Sequence, residues 1–190
     1  MLFRSSLRHE PTLLLAAPGA AQSRLKQQTH RGDCDGKWAI RLGQLRCHPL
    51  PWLCQRDYDH LLWSADLNFV RGEDSLVRAL WAQVPFVWHI YPQHDGAHVH
   101  KLQAFLAQMC QSFPSPVAQR VRHFFFHWNG LTPEALTLAR HGGPSTTELQ
   151  DWQTALAPWL RELRVQEDLT RQLTAFVKPR IGPLKLDVNP

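Results

Sequence analysis

The sequence is poor in the features that announce a function by themselves. Its four cysteines, Cys34, Cys47, Cys54 and Cys110, form no CxxC pair. That removes zinc ribbons and dithiol redox motifs and leaves reduced cytosolic thiols as the expectation. No apolar stretch is long enough to cross a bilayer. Basic residues outnumber acidic ones, 21 to 16, for a net charge of +5 and a pI near 9.3. They are scattered, without the block of like charge found in nucleic-acid tails. A phosphate-bearing ligand stays open, because a diphosphate pocket needs only a few cations. There is no internal repeat and no low-complexity segment.

What remains is the composition of a soluble globular domain, 44% hydrophobic and 19% charged. A length of 190 residues suffices for one domain with a proper core. Eight tryptophans are more than expected, and most are assigned to that core. At the start, Arg4 and Arg8 precede small residues from Thr12 to Ala21 and imitate a secretory signal. The run is short, follows His9-Glu10-Pro11 directly and is broken by Pro18-Gly19. Thr12 to Ala17 therefore reads as a strand buried on both faces, and the chain as cytoplasmic.

Three further strands are expected, within Leu42 to Leu50, over Asp66 to Val70 and over Phe86 to Ile90. Helical patterns separate them: Gln22 to His30; a stretch from Asp57, read as an N-cap; and Asp74 to Gln83. Arg31 to Gly36 reads as a loop. Short strands alternating with helices predict an α/β fold, a Rossmann-like parallel sheet with flanking helices. From about residue 97 the pattern is helical: His98 to Ser112, Val117 to Trp128, Pro133 to Arg140, and Thr147 to Phe176 with an interruption at Pro158. Ser145-Thr-Thr-Glu148 has the form of a capping box. Phe124-Phe-Phe126 with Trp128 reads as core by default, or as a surface between lobes.

The segment that carries chemistry is Asp66-Leu-Asn-Phe-Val-Arg-Gly-Glu-Asp-Ser75. A strand runs into a glycine, two acids and a serine, and then a helix. First-turn amides of a helix lack intrahelical acceptors and carry the positive end of the macrodipole. They suit a phosphate at the carboxyl edge of a parallel sheet. Gly72 lets the backbone turn and a ligand approach. Ser75 can add a hydroxyl, and Arg71 a forked, charge-assisted contact to phosphate oxygens. The same letters also spell an ordinary helix start, with Asp74 or Ser75 as N-cap and Glu73 as a dipole-favoured acid. His94, Asp95, His98 and His100, with His89 nearby, contain metal-ligand types. Their spacing matches no metal motif, and solvent-facing histidines are expected.

Read together, Tyr58-Asp-His-Leu-Leu-Trp-Ser-Ala-Asp-Leu-Asn-Phe-Val-Arg-Gly-Glu-Asp-Ser-Leu-Val-Arg-Ala-Leu-Trp-Ala82 and Pro85-Phe-Val-Trp-His-Ile-Tyr-Pro-Gln93 resemble the donor domain of the EarP family, the arginine rhamnosyltransferases of elongation factor P maturation. Lys101 to Leu106 and Trp128-Asn-Gly130 are similar too, and the resemblance is best over residues 40 to 130. It implies the carboxyl-terminal lobe of a two-lobed GT-B glycosyltransferase. That enzyme moves L-rhamnose from dTDP-β-L-rhamnose, with inversion and without a metal or cofactor, to an arginine of elongation factor P. It further implies that Arg71 and Tyr91 hold the diphosphate, that Asp74 and Ser75 meet the phosphate and ribose, and that Glu73 lies near the transferred sugar and assists catalysis. Gln55 would read the thymine edge and Trp52 stack on the base. Trp52 stands where the family has phenylalanine, and Cys54 where it has proline. The family's amino lobe, with its catalytic aspartate, has no counterpart before Thr12, so the expectation is a donor-binding half, inactive alone. Two other readings stay in view, a non-enzymatic interaction protein and an α/β module for another sugar nucleotide.

Overall fold

The computed structural model describes residues 11–28, 40–42, 44–132 and 143–181. The expected loop at Arg31 to Gly36, the helix at Pro133 to Arg140, Cys34 and the signal-like Arg4 and Arg8 lie outside the described residues. The first part of the chain forms a small mixed sheet in the order β1-β3-β2. Strands β1 (Thr12–Ala16) and β3 (Leu45–Pro49) are parallel, and β2 (Ile40–Leu42) runs antiparallel to β3. Helix α1 (Ala20–Gln28) follows β1. Its Gln22 amide donates to Ala16 O at 2.8 Å and Leu50 O at 2.7 Å, tying together the carboxyl ends of both parallel strands. Leu45 and Cys47 are buried here against Leu14 and Leu25.

The expectation that β1 is buried on both faces does not hold. It is an edge strand in which only Ala16 is fully buried, and Leu13 is 62% exposed. A run of leucines is equally compatible with burial on one face or two, so periodicity could not tell them apart.

The second part begins with α2 (Gln55–Ser64), β4 (Asn68–Val70), α3 (Glu73–Ala82) and β5 (Phe86–Trp88). β4 and β5 are parallel, in the register Asn68↔Phe86 to Val70↔Trp88. Among the described residues the four expected strands therefore do not form one parallel sheet. They divide between two small sheets, and the antiparallel β2 joins the first. β5 is fully buried, as its unbroken Phe-Val-Trp run requires. Asn68, itself buried, donates from its side chain to Leu62 O at 2.8 Å and so satisfies the last turn of α2. The start of α2 also differs from expectation. Cys54 occupies the N-cap without a side-chain bond, and Asp57 lies in the first turn, where its charge still favours the dipole.

From Ala97 onward every described element is helical: α4 (Ala97–Met109), α5 (Ser115–Trp128), α6 (Thr146–Val165) and α7 (Leu169–Ile181). One core joins α2 to α6 around β4 and β5, with Phe86, Phe125, Leu102, Leu106, Met109 and Leu156 completely enclosed. Phe124 and Phe125 are buried, and Phe126 and Trp128 pack against them, so the aromatic run is core. Ser145 and Glu148 form the expected capping box. The break expected at Pro158 is absent. α6 continues through it, because Trp152, Ala155, Leu156, Trp159 and Leu160 bury on both sides of the proline. Several large buried side chains outweigh the roughly 3 kcal/mol that an internal proline costs. The helical stretch breaks instead after Val165.

Candidate functional site

Because β4 and β5 are parallel, both leave the sheet at the same edge. The ladder extends one step past the strands, where His89 N–H donates to Val70 O at 2.8 Å. The buried indole of Trp88 donates to Arg71 O at 2.8 Å and holds the exit of β4 against β5. These contacts put Arg71 and Tyr91 side by side. The guanidinium carbon of Arg71 lies 4.7 Å from the centroid of the Tyr91 ring, a cation–π pair. Both side chains are exposed, and among the described residues Arg71 pairs with no carboxylate. Asn129 braces the segment before Tyr91. Its side-chain oxygen accepts from Ile90 N–H at 3.0 Å, and its amide nitrogen donates to Trp88 O at 2.9 Å and Phe125 O at 2.8 Å.

Helix α3 starts beside this pair. Its N-cap is Gly72, not Asp74 or Ser75, and no side chain caps it. Apart from the Glu73 N–H, which that residue's own carboxylate engages, the first-turn amides are left without a side-chain acceptor, as an anion site requires. Gly72 has φ −72°, an extended conformation open to any residue, so the turn does not demand a glycine. A Cβ at that position would meet nothing within 4 Å. What the glycine leaves is open space over the helix start.

Each acid of the first turn has a basic partner. Glu73 accepts from Lys101 Nζ of α4 at 2.9 Å, and the same ammonium lies 5.3 Å from the Trp88 ring. The Lys101 bond, helped by the Glu73 backbone N–H and the Lys101 charge, holds the Glu73 carboxyl below the usual carboxylate range. A carboxylate depressed in this way is a weak base. It suits accepting a sugar hydroxyl or facing developing positive charge better than taking a proton. Asp74 accepts from Arg78 Nε at 3.2 Å, one turn along α3. Arg78 also donates to both oxygens of Asp59 on α2, at 2.8 and 2.9 Å. Gln55, at the start of α2, lies against the same guanidinium.

Of the residues singled out from sequence, Arg71 and Tyr91 meet directly. Glu73, Asp74 and Ser75 share the first turn of α3, and Gln55 joins Asp74 through Arg78. Ser75 makes no side-chain bond among the described residues. Trp52 lies just before α2 with its ring 85% exposed, free of core packing and tied to none of the others. Sequence reasoning missed Arg78, Lys101 and Asn129 as parts of the site. The Asp74–Arg78 spacing of four was a usable signal. The contacts of Lys101 with Glu73, and of Asn129 with Ile90, span 28 and 39 residues, and the signal for them was the family resemblance of the segments that hold Lys101 and Asn129. The histidine segment serves local structure: Asp95 accepts from Ala97 N–H at 3.0 Å, and His98 Nδ1 from Gln93 N–H at 3.1 Å. Among the described residues no three His, Cys, Asp or Glu side chains are grouped to hold a metal ion, and no helix is long and apolar enough to cross a membrane.

Comparison with known proteins identifies the family. The family model for the elongation factor P (EF-P) rhamnosyltransferase EarP matches residues 2–178. A protein-arginine rhamnosyltransferase of Pseudomonas aeruginosa is 42% identical over 135 residues, covering 70% of this chain and 34% of the relative. One from Neisseria meningitidis is 32% identical over 172 residues, covering 87% of this chain and 44% of the relative. A solved structure described as the structural basis for EarP-mediated arginine glycosylation of translation elongation factor EF-P superposes with a TM-score of 0.72 at 30% identity, over 93% of this chain and 55% of that one. The chain thus spans less than half the length of these curated relatives, and with its two small sheets and packed helices it belongs to the EarP family of elongation factor P rhamnosyltransferases.

Proposed function

We propose that this chain is the donor-binding, carboxyl-terminal lobe of a GT-B protein-arginine rhamnosyltransferase of the cytoplasm. It takes dTDP-β-L-rhamnose, and the whole activity passes the sugar with inversion to an arginine of elongation factor P. One observation carries the reading. Arg71, a cation with no carboxylate partner among the described residues, is held by Tyr91 beside a helix start that no side-chain cap closes, with open space above it. Two linked phosphates match that combination of guanidinium, phenol and free amides.

In the reaction, the bond from the sugar's anomeric carbon to the diphosphate breaks. A guanidinium nitrogen attacks from the opposite face and loses a proton to a carboxylate. Arg71, Tyr91 and the α3 amides take up the charge left on the departing dTDP, so the scheme needs no metal or cofactor. Glu73, held anionic by Lys101, faces the positive charge that develops on the sugar and the acceptor. The proton acceptor in this scheme is the aspartate of the family's amino lobe. Asp74 and Ser75 meet the phosphate and ribose, Gln55 the thymine edge, and the open ring of Trp52 stacks on the base.

Calorimetric titration tests the reading. The chain is expected to bind dTDP more tightly than UDP or GDP, and Arg71→Ala to weaken dTDP by about tenfold or more, the worth of a charge-assisted hydrogen bond. Equal affinity across the three diphosphates would favour a module for another sugar nucleotide. Absence of any nucleotide binding, with elongation factor P still retained, would favour an interaction protein.

A further inference from the structure

Arg78 is the most heavily engaged side chain near the start of α3, and the donor reading assigns it nothing. It lies one turn beyond Asp74 and reaches across to α2, where Nη1 donates to both oxygens of Asp59 at 2.8 and 2.9 Å. Nε donates to Asp74 at 3.2 Å. The remaining face of the guanidinium meets the side-chain amide of Gln55. A guanidinium offers donors only. The amide therefore satisfies its neighbour in one orientation, with its oxygen inward. In that orientation the oxygen accepts from Nη2, and from Nε at 3.2 Å.

We infer that Arg78 is a positioning residue that fixes the polarity with which Gln55 reads a base. An exposed glutamine amide turns over easily, because its terminal torsion is broad and two-fold. Here, turning it over would set its N–H donors against guanidinium N–H donors and lose the charge-assisted bonds. With its oxygen occupied by two donors, Gln55 presents its amide nitrogen outward. A nitrogen donor fits a ring carbonyl. It does not fit the amino group that cytosine carries at C4, which would leave two donors facing each other. The site is thereby selective for pyrimidine nucleotides with a carbonyl at C4, thymine or uracil, and against cytosine. Arg78 also couples the base-reading residue on α2 to the first turn of α3 through Asp74, so the two halves of a bound nucleotide meet a common brace.

The inference rests on the donor reading, in which Gln55 meets the base, and the experiment separates the two. The chain is titrated with dTDP, dCDP and inorganic pyrophosphate. dTDP is expected to bind at least about tenfold tighter than dCDP, the scale on which mismatched donors discriminate. In Gln55→Glu, one carboxylate oxygen still accepts from Arg78 and the other faces outward as an acceptor. The dTDP-to-dCDP preference should then shift toward dCDP by about tenfold or more. In Arg78→Met the amide turns freely and the dTDP-to-dCDP ratio should collapse toward one; pyrophosphate affinity falls as well, because Asp74 loses its cation, so the ratio and not the affinity reads the positioning role. A melting curve checks that this variant folds. Gln55→Glu carries the test by itself if it does not, since it keeps Arg78 and its two acidic partners. A dTDP-to-dCDP ratio that stays the same in Gln55→Glu, or that already equals one in the unaltered chain, overturns the inference and leaves the donor reading standing. A chain that binds none of the three ligands overturns both.

Discussion

The brace that Asn129 forms beneath Tyr91 permits a quantitative prediction. Alternate residues of β5 turn their backbone groups toward β4, as the bonds of Pro85 and His89 show. Trp88 O and Ile90 N–H therefore point to the other edge, where the Asn129 side chain serves both as a neighbouring strand would. Asn129→Ala leaves these two groups without partners. Phe125 O is not orphaned, since it also accepts from the Asn129 backbone N–H at 3.1 Å. A buried group left unsatisfied costs about 1–3 kcal/mol. Asn129 is half-buried, so water recovers part of this, and the expected loss is about 2–4 kcal/mol. That is a large share of the typical 5–15 kcal/mol of folding stability. Urea denaturation of the parent chain and of Asn129→Ala measures it. Asn129→Asp should lose at least as much, because it keeps the acceptor for Ile90 N–H but sets an oxygen against the carbonyls of Trp88 and Phe125. In both variants Tyr91 loses its anchored approach, and dTDP affinity should fall with stability. A loss under about 0.5 kcal/mol, the range of neutral surface substitutions, together with unaltered dTDP binding, would refute the reasoning.

Three further outcomes are expected. Gly72→Ala should cost less than about 1 kcal/mol, the difference between glycine and alanine at an N-cap, because the added Cβ meets nothing. It should nonetheless weaken dTDP binding by filling the approach to the helix start; a thermal melt paired with calorimetry reads both, and undiminished binding would show that no ligand comes close there. Lys101→Met should return the Glu73 carboxyl upward toward its ordinary range, followed by NMR of the side-chain carboxyl, since the Lys101 bond is the main cause of its depression. Glu73's folded value is depressed, so its contribution is present above the unfolded pKa and is lost as pH falls through the folded one. That contribution to stability is small, because both partners are exposed. His127 is buried with neither ring nitrogen bonded among the described residues, and burial first, then the neighbouring His123, pushes its pKa down from 6.5. The unfolded chain binds the proton more readily, so stability should be complete above about 6.5 and decline as pH falls below it. His127→Leu should flatten that decline in melting curves recorded from neutral to mildly acidic pH.

Much of the fold was legible because its signals are local. The apolar run of Phe86 to Trp88, the stripe of Leu102, Leu106 and Met109, and the Ser145–Glu148 box each sit inside one element, and each has the structure its pattern implies. The misreadings concern what local patterns do not encode. Leucine at 13 and 15 says nothing of whether a second layer covers β1. Pro158 argues for a break only until the burial of Trp152 and Trp159 on either side is known. How strands divide between sheets depends on pairing partners distant in sequence, and β2 was too short to be seen. The candidate site divides the same way. Arg71, Glu73, Asp74 and Ser75 were legible as a strand-to-helix junction. Tyr91 entered only through the family resemblance, and the parallel register of β4 and β5 explains its place beside Arg71.

The first turn of α3 also poses an electrostatic problem that its neighbours resolve. On the proposed reading two acids, Glu73 and Asp74, stand where a diphosphate approaches, and like charges there would oppose binding. Acids at that position stabilise the helix through its dipole, so the requirements of folding and of an anionic ligand conflict. The structure answers by pairing each acid with a cation from elsewhere, Lys101 of α4 for Glu73 and Arg78, shared with Asp59, for Asp74. Neutralised in this way, the acids no longer repel the ligand, and Arg71, whose neighbour is a ring and not a carboxylate, keeps its full charge for it. The Glu73–Lys101 pair is exposed and can rearrange at small cost, whereas Arg78 and Asp59 are largely covered. On that reading the acids are compatible with an anion site only because Lys101 and Arg78 are there, which makes those two residues, one signalled only by its spacing of four from Asp74 and the other brought in from α4, as necessary to the site as Arg71.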